Sequence, residues 1–352
     1  HSSAPSRARL QFMRIALAGF GTVGRALAEL VLARGEAMRR HQGLRIDVVL
    51  LIGRTETVAH PRGLPLAAAI EAKKAGRPLA SIEGASVVEG GASIGDLLVD
   101  HAVDALVEAS PTDLETGGAA LGRIRAALIS KRHVVTATKG PVALAFPALL
   151  DLARHNGVKL LASGSVGGGT PFIDFAQTCL AGNRPTSFHG ILNGTTNYIL
   201  TRMADEGTAF DAALRGAQEA GYAEADPRGD VDGWDAAAKC VILANLALGR
   251  RAVLADVARE GIAGVTAERV RAAIAAGRRV KLIARAGAEG LSVRPEEVAA
   301  TDPVCVSGAL NAVTFETPDA GPLTLVGKGA GGPETATAIL RDLFAIKKEY
   351  EG

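Results

Sequence analysis

The sequence predicts an α/β protein, with a doubly wound parallel sheet joined to a second, α+β domain. Three observations predict it. Short apolar runs alternate with amphipathic stretches through the first 165 residues. The first such run ends in a glycine-rich turn, GFGTVG (19–24). Beyond 165 the alternation gives way to helices grouped together and strands grouped together.

Taken in order, RIALAG (14–19) reads as a buried strand and TVGRALAELVLARG (22–35) as the helix after it. RIDVVLLI (45–52), VDALVEAS (103–110), HVVTAT (133–138) and VKLLASG (158–164) read as further strands. GGAALGRIRAALIS lies between the third and fourth strands as a helix. VALAFPALLDLARHNG precedes the last, with a kink expected at Pro147. The later chain offers TSFHGIL (186–192) as a strand and helices in TNYILTRMADEG, FDAALRGAQEAG, 232–249 and 266–276. KLIARAG, PVCVSG and NAVTFET have the alternation of antiparallel strands. LTLVGKGAGGPETATAILRDLFAI again reads as strand, glycine loop and helix. The division expected is 13–150 for the first domain, 151–318 for the second, and 319–352 as a segment returning to the first. Residues 1–12 precede Met13, are polar and lack an apolar core. They are read as an expression-tag remnant and set aside.

The chain has 352 residues, 48% of them hydrophobic, and a formal net charge of +2. That balance leaves no electrostatic footprint for nucleic acid. No apolar run approaches the roughly 20 residues of a membrane span. Cys179, Cys240 and Cys305 are far apart and form no CxxC, which argues against a disulfide framework or zinc site and fits a reducing cytoplasm.

GFGTVG sits where a dinucleotide loop of the Rossmann type belongs, after a strand and opening a helix. Gly19 permits the tight turn, Gly21 lets a pyrophosphate approach the backbone, and Gly24 lets helix and strand pack closely. Thr22 and Val23 open the helix, whose N-terminal N–H groups favour phosphate. At the end of the second strand, Arg54 stands where a carboxylate would favour NAD. An arginine there suits a 2′-phosphate, so NADP is expected to be preferred. The plainer reading of Arg54 is a solvated surface cation.

DVDGWDAAAKC (230–240) puts Asp235 and Lys239 one helical turn apart. Such pairs are commonly exposed and weak. Here small Ala236, Ala237 and Ala238 and the apolar VILANLAL that follows argue for an enclosed helix. A lysine at a cleft can exchange protons near neutral pH. Upstream, AGYAEADPRGD supplies Glu224, Asp226 and Asp230, carboxylates suited to an ammonium-bearing substrate or, more plainly, to a solvated turn.

The segment AQEAGYAEADPRGDVDGWDAAAKC resembles the signature of homoserine dehydrogenases. GFGTVG, VVTATKGP, SVGGGTP, GILNGTTNYIL and GKGAG extend the resemblance over nearly the whole chain from Met13. It implies reversible NAD(P)-dependent oxidation of L-homoserine to L-aspartate 4-semialdehyde, on the route to threonine, isoleucine and methionine. Lys239 matches the lysine that exchanges a proton with the substrate hydroxyl while hydride moves to or from the same carbon. Lys139 matches a second lysine at the junction of cofactor and substrate, whose like charge helps keep the first neutral. Asp235 and Glu224 match groups that hold substrate, with Thr195 a further candidate. Ser110, Gly221 and Gly331 match cofactor contacts. SGSVGGGTP resembles a loop that carries a sodium ion on backbone carbonyls, here Val166, Gly168 and Thr170. The plainer reading is a glycine-rich turn between domains.

The sequence departs from the family pattern at two places. Ser163 stands where glutamate is frequent, and Thr138 where asparagine is common. The chain has no room for the threonine-sensing C-terminal domain of many bacterial relatives, so feedback by that route is not expected. The resemblance also implies a homodimer formed through the second domain's sheet, whose edges, such as NAVTFET, need covering. Two other functions fit the same residues. One is an NADP-dependent dehydrogenase of another hydroxy-amino acid, and the other a non-catalytic NADP sensor.

Overall fold

The computed structural model describes residues 12–88 and 92–349. Of the leader set aside from the sequence, residues 1–11 lie outside the described residues, and Phe12 is the first residue of strand β1. The chain divides into two compact units. The first comprises residues up to Ser165 together with those from Gly331 onward, and the second spans Val166–Ala330.

The first unit contains β1 (Phe12–Ala18), α1 (Thr22–Gln42), β2 (Arg45–Ile52), β3 (Thr57–Ala59), α2 (Leu66–Lys74) and β4 (Ser86–Val87). It continues through α3 (Ile94–Asp100), β5 (Ala105–Glu108), α4 (Gly118–Ile129), β6 (His133–Thr136), α5 (Lys139–His155) and β7 (Leu160–Leu161). The sheet order is β4-β3-β2-β1-β5-β6-β7. β1 pairs in parallel with both β2 and β5, and Ile15, Ala16, Leu17 and Ala18 are wholly buried. An unbroken apolar run is what a central parallel strand covered on both faces requires. The chain runs outward from β1 to β2, then returns to β1's other side as β5. The strand order therefore reverses between β1 and β5, where doubly wound sheets bind ligands.

β3 and β4 pair antiparallel at one edge, so the sheet is mixed rather than purely parallel. At three and two residues they are too short to show a period in the sequence. Helix α5 departs from helical geometry at Ala145 (φ −139°), two residues before Pro147, as the missing N–H and bulky ring of a mid-helix proline dictate.

The second unit contains α6 (Phe172–Asp174), β8 (Ser187–Ile191), α7 (Gly194–Glu206), α8 (Phe210–Glu219), α9 (Arg228–Val231), α10 (Trp234–Leu248) and β9 (Val257–Arg259). Then come α11 (Ala267–Ala275), β10 (Arg278–Gly287), β11 (Gly290–Ala299), β12 (Leu310–Thr317) and β13 (Gly321–Lys328). The sheet order is β13-β12-β8-β10-β11-β9, with α7, α10 and α11 packed on it. Apart from Trp234, Asp235, Leu246 and Leu248, every residue of α10 is buried. A helix apolar on all sides is stable only when enclosed on all sides. After β13, α12 (Gly332–Glu349) returns to the first unit and lies along α1.

The structure moves three sequence expectations. The unit boundaries fall at 165/166 and 330/331 rather than 150/151 and 318/319. β7 bonds to β6, and β13 bonds to β12 over its whole length, so each belongs with its sheet partner. NAVTFET is β12, which is flanked by β8 and β13 and is not an edge; the edges are β13 and β9. PVCVSG is not a strand. Its backbone closes tight turns, Cys305 N to Asp302 O and Val306 N to Val304 O. The Val306 carbonyl accepts from Lys281 Nζ (2.8 Å) and Asn197 Nδ2 (3.2 Å). Burial pushes the Lys281 ammonium down to about 8.

Candidate active site

Apart from Gly221, which lies in the second unit, the residues expected to hold a dinucleotide fall within the first unit, most of them around the ends of its parallel strands. Gly19 has φ +91° and its N–H donates to the Ile52 carbonyl at the end of β2 (2.9 Å). A Cβ at Gly19 would lie 2.6 Å from Ser110 N, so the loop presses directly on the end of β5. A Cβ at Gly24 would lie 2.1 Å from the Gly19 carbonyl oxygen. One at Gly21 would meet no protein atom within 4 Å. Gly21 caps α1 without a side-chain bond, and the first turn, which includes Thr22 and Val23, carries no acid. The positive end of the helix dipole is thus left uncompensated beside open space, which fits a pyrophosphate.

Ser110 is fixed by a network invisible in the sequence. Glu108, wholly buried, pairs with Arg123 (2.7 Å) and accepts from Ser110 N (3.0 Å). Arg123 also donates to Ser110 Oγ (2.9 Å). Thr138, where asparagine was the common residue, donates from its hydroxyl to the Ser110 carbonyl (2.8 Å), joining the ends of β5 and β6. Lys139 follows as the first residue of α5, half-buried, with its N–H on Thr112 Oγ1 (3.4 Å). Gly331 has φ +137°, and a Cβ at its neighbour Gly332 would lie 2.9 Å from Thr22 Cγ2, which sets the start of α12 beside the nucleotide loop. Arg54 is exposed in the turn after β2. The acid closest to it in sequence, Glu56, is committed elsewhere and accepts from the backbone N–H groups of Leu79 (2.7 Å) and Ala80 (3.2 Å).

In the second unit, buried Lys239 pairs with half-buried Asp235, Nζ to Oδ2 2.7 Å, unlike the exposed helix pair that spacing alone suggests. Lys239 Nζ also donates to the Leu192 carbonyl at the end of β8 (3.0 Å). Asn193, the next residue, caps α7 by accepting Thr196 N–H on Oδ1 (2.8 Å). That role turns its Nδ2 outward to Asp230 Oδ1 (2.6 Å) and Asp235 Oδ2 (2.8 Å). One amide thereby bridges two carboxylates next to the lysine. Thr195 lies beside Asp230 and donates to the Tyr222 carbonyl (2.8 Å). Gly221 has φ +75° in the exposed loop just before Tyr222.

Glu224 is exposed in that same loop, and among the described residues no hydrogen bond ties its carboxylate to the Asp235 cluster. Asp226 pairs with Arg228 on the surface (2.6 Å), the solvated-turn outcome. Neither Asn193 nor the bridging position of Asp230 was assigned from the sequence, although an asparagine just before the helix GTTNYIL is a capping signal.

Burial, then the charge of Asp235, push the Asp230 carboxyl up. Between its unfolded and its raised folded value the folded chain binds more protons. The stability it contributes is therefore present at low pH and is lost as pH rises through that window. Asp230→Asn, which keeps an acceptor for Asn193, is expected to raise the melting temperature at pH 7. The same change is expected to lower kcat/KM for an ammonium-bearing substrate roughly 10- to 100-fold. A melting temperature that falls at pH 7 would contradict this account of the shift.

Comparison with known proteins places this geometry. Residues 171–344 match the family model for homoserine dehydrogenase. The chain is 40% identical over 344 residues to homoserine dehydrogenase of Methanocaldococcus jannaschii, spanning 95% of this chain and 98% of the relative. The chain belongs to the homoserine dehydrogenase family. It is 37% identical to the NAD(+)-dependent homoserine dehydrogenase of Pseudomonas canavaninivorans, over 95% of this chain and 96% of that one. A homoserine dehydrogenase structure from Thiobacillus denitrificans superposes with a TM-score of 0.81 at 33% identity, covering 97% of this chain and 74% of that one. A hyperthermophilic archaeal homoserine dehydrogenase in complex with NADPH does so at 0.81 and 29% identity, covering 96% and 98%. Among the described residues, no helix is long and apolar enough to cross a membrane.

Proposed function

We propose that this chain catalyses the reversible NAD(P)-dependent oxidation of L-homoserine to L-aspartate 4-semialdehyde, with Lys239 as the proton-transferring group. The observation that carries the assignment is the pair of buried Lys239 with Asp235, bridged through Asn193 to Asp230. An ammonium has three donors. Asp235 and the Leu192 carbonyl take two of them, which leaves the third for a substrate oxygen. In the reducing direction Lys239 gives a proton to the oxygen on which negative charge develops. In the oxidising direction the neutral amine, with its lone pair on that oxygen, receives the hydroxyl proton and becomes the ammonium. Asp230 and Asp235 orient the substrate ammonium, with Thr195 beside them, and Glu224, on the exposed loop, is the further substrate group that the family resemblance implies. The bound nicotinamide supplies the hydride acceptor or donor. Gly19, Gly21, Thr22, Val23 and Gly24 would seat the pyrophosphate of the dinucleotide, and Ser110, Lys139, Gly221 and Gly331 are the further cofactor contacts that the family resemblance implies.

Arg54 favours NADP, since an exposed guanidinium at the end of β2 suits a 2′-phosphate and Glu56 is occupied elsewhere. Steady-state kinetics with homoserine against both cofactors test the whole reading. No homoserine-dependent reduction of either cofactor would reject it in favour of a sensor, and faster turnover of another hydroxy-amino acid would reassign the substrate. Arg54→Ala is expected to lower kcat/KM for NADP about 10- to 100-fold and to leave NAD nearly unchanged. An equal effect on both would remove Arg54 from phosphate recognition. A cytoplasmic homodimer that supports threonine, isoleucine and methionine synthesis completes the reading, and light scattering of the purified chain tests the dimer.

The same family implies a monovalent cation on the carbonyls of Val166, Gly168 and Thr170. Gly167 and Gly168 take positive φ (+83° and +52°), which turns successive carbonyls within a short loop. Thr170 Oγ1 donates to the Lys328 carbonyl (3.1 Å). Close by in the fold, the wholly buried Asn311 has neither Oδ1 nor Nδ2 bonded. Neutral oxygens and an orphaned amide fit a singly charged ion, which would bind this loop without taking part in proton transfer.

A further inference from the structure

We propose that Asn311 supplies a side-chain oxygen to a monovalent cation held by the 166–170 loop. The proposal rests on the family-implied ion but not on the dehydrogenase activity. Asn311 is 0% exposed at the start of β12, and both polar atoms of its carboxamide lack a partner. A leucine of similar size would fill the same space without the desolvation penalty of a buried amide. The position therefore calls for an amide because something other than the chain bonds to it.

Three segments meet around that amide. Asn311 pairs across the ladder with Gly327, so both lie on one face of the sheet. A Cβ at Gly327 would lie 2.2 Å from Thr170 Oγ1, and one at Gly329 would lie 2.1 Å from Asn311 Nδ2. Thr170 and Asn311 thus cover two glycines only two residues apart. A Cβ at Gly168 would lie 3.0 Å from the Gly329 carbonyl oxygen, which brings the loop's backbone to the same place. The glycines are what permit this closeness.

The groups gathered here are an amide oxygen, a hydroxyl and backbone carbonyls. None carries charge, and oxygen ligands without carboxylate suit a monovalent rather than a divalent cation. Among the described residues, no cluster of three His, Cys, Asp or Glu residues could hold a metal. The position also touches the catalytic region. Ala312 pairs with Ile191, so Asn311 lies one residue further along, level with Leu192, whose carbonyl accepts from Lys239. An ion bound there stiffens the strand end that orients the lysine.

The test is thermal melting of the full chain in sodium, potassium or choline chloride at one ionic strength, with ²³Na line widths recorded alongside. The wild type is expected to melt roughly 2–4 °C higher in sodium or potassium than in choline. Asn311→Leu is expected to abolish that difference, and Asn311→Asp, which keeps the oxygen and adds charge, to enlarge it. A difference that survives in Asn311→Leu overturns the proposal, as does a wild type indifferent to the cation. If Asn311→Leu does not fold, Asn311→Asp decides: a shift and ²³Na broadening no greater than wild type reject the role. Homoserine turnover measured on the same samples separates the two readings. Normal turnover without a cation effect removes the ion and leaves the enzyme assignment in place.

Discussion

Lys239→Ala is expected to lower kcat for homoserine oxidation by about 10²–10⁴-fold while NADPH affinity, followed by fluorescence, changes little. The expectation follows from where the amine sits. Its Nζ is enclosed and held by Asp235 and the Leu192 carbonyl, on a helix that cannot turn without disturbing the core around Cys240, Val241 and Ala244. A positioned amine of this kind transfers a proton with no search for geometry, and alanine leaves nothing in its place. Truncation also strands the Asp235 carboxylate, so lost activity alone would not separate chemistry from structure. Lys239→Arg makes the separation. Arginine keeps the positive charge and the pair with Asp235 but does not release a proton near neutral pH. If the lysine moves a proton, the arginine variant melts near wild type and remains almost inactive in both directions. An arginine variant with near-normal kcat would show that Lys239 only holds charge, and the proton route would then have to be sought elsewhere.

The first unit was legible in the sequence because its signals are local. β1 and β2 end in unbroken apolar runs, and GFGTVG needs glycine at three positions for three separable reasons, seen as close backbone contacts at Gly19 and Gly24 and as open space at Gly21. Lys239 was legible through its setting, since alanines and an apolar continuation deny Asp235 and Lys239 an exposed face. The unread features depend on long-range partners. Glu108 and Arg123 are fifteen residues apart and look like ordinary charges until strand and helix bring them onto Ser110. Asp230 was indistinguishable from Asp226 in a run of acids. One meets Asn193 from a strand end nearly forty positions away and the other meets Arg228 two positions on. NAVTFET alternated well enough to be taken for an edge, because alternation reports which faces a strand presents, not how many neighbours it has. The missed β11 carries Arg, Pro and two Glu among its apolar residues, and its pairing with β10 rather than its composition makes it a strand.

Gly21→Ala and Gly24→Ala are expected to fail in different ways, and the contrast is a sharper test of the nucleotide loop than either alone. Gly21 has negative φ (−87°), and an added methyl would meet no protein atom within 4 Å. Removing a glycine at a compatible site narrows the unfolded ensemble, so the melting temperature should hold or rise slightly. The methyl would, however, stand in front of the α1 N-terminus, where a pyrophosphate must touch the backbone. NADPH affinity should therefore weaken by roughly a hundredfold, the cost of losing contact between charged oxygens and helix N–H groups. Gly24 is the reverse case. Its methyl would collide with the Gly19 carbonyl oxygen at 2.1 Å, and both atoms belong to backbone that has no rotamer to change. The helix must then lift from β1, and the contact between Gly19 and Ser110 goes with it. Gly24→Ala should lose stability by several kcal/mol as overpacking against fixed backbone does, with binding lost as a consequence. Isothermal titration with NADPH and thermal melting on both variants read the two effects separately. If Gly21→Ala binds NADPH as tightly as wild type, the open space beside it is not where the phosphates lie, and the dinucleotide assignment loses its structural basis.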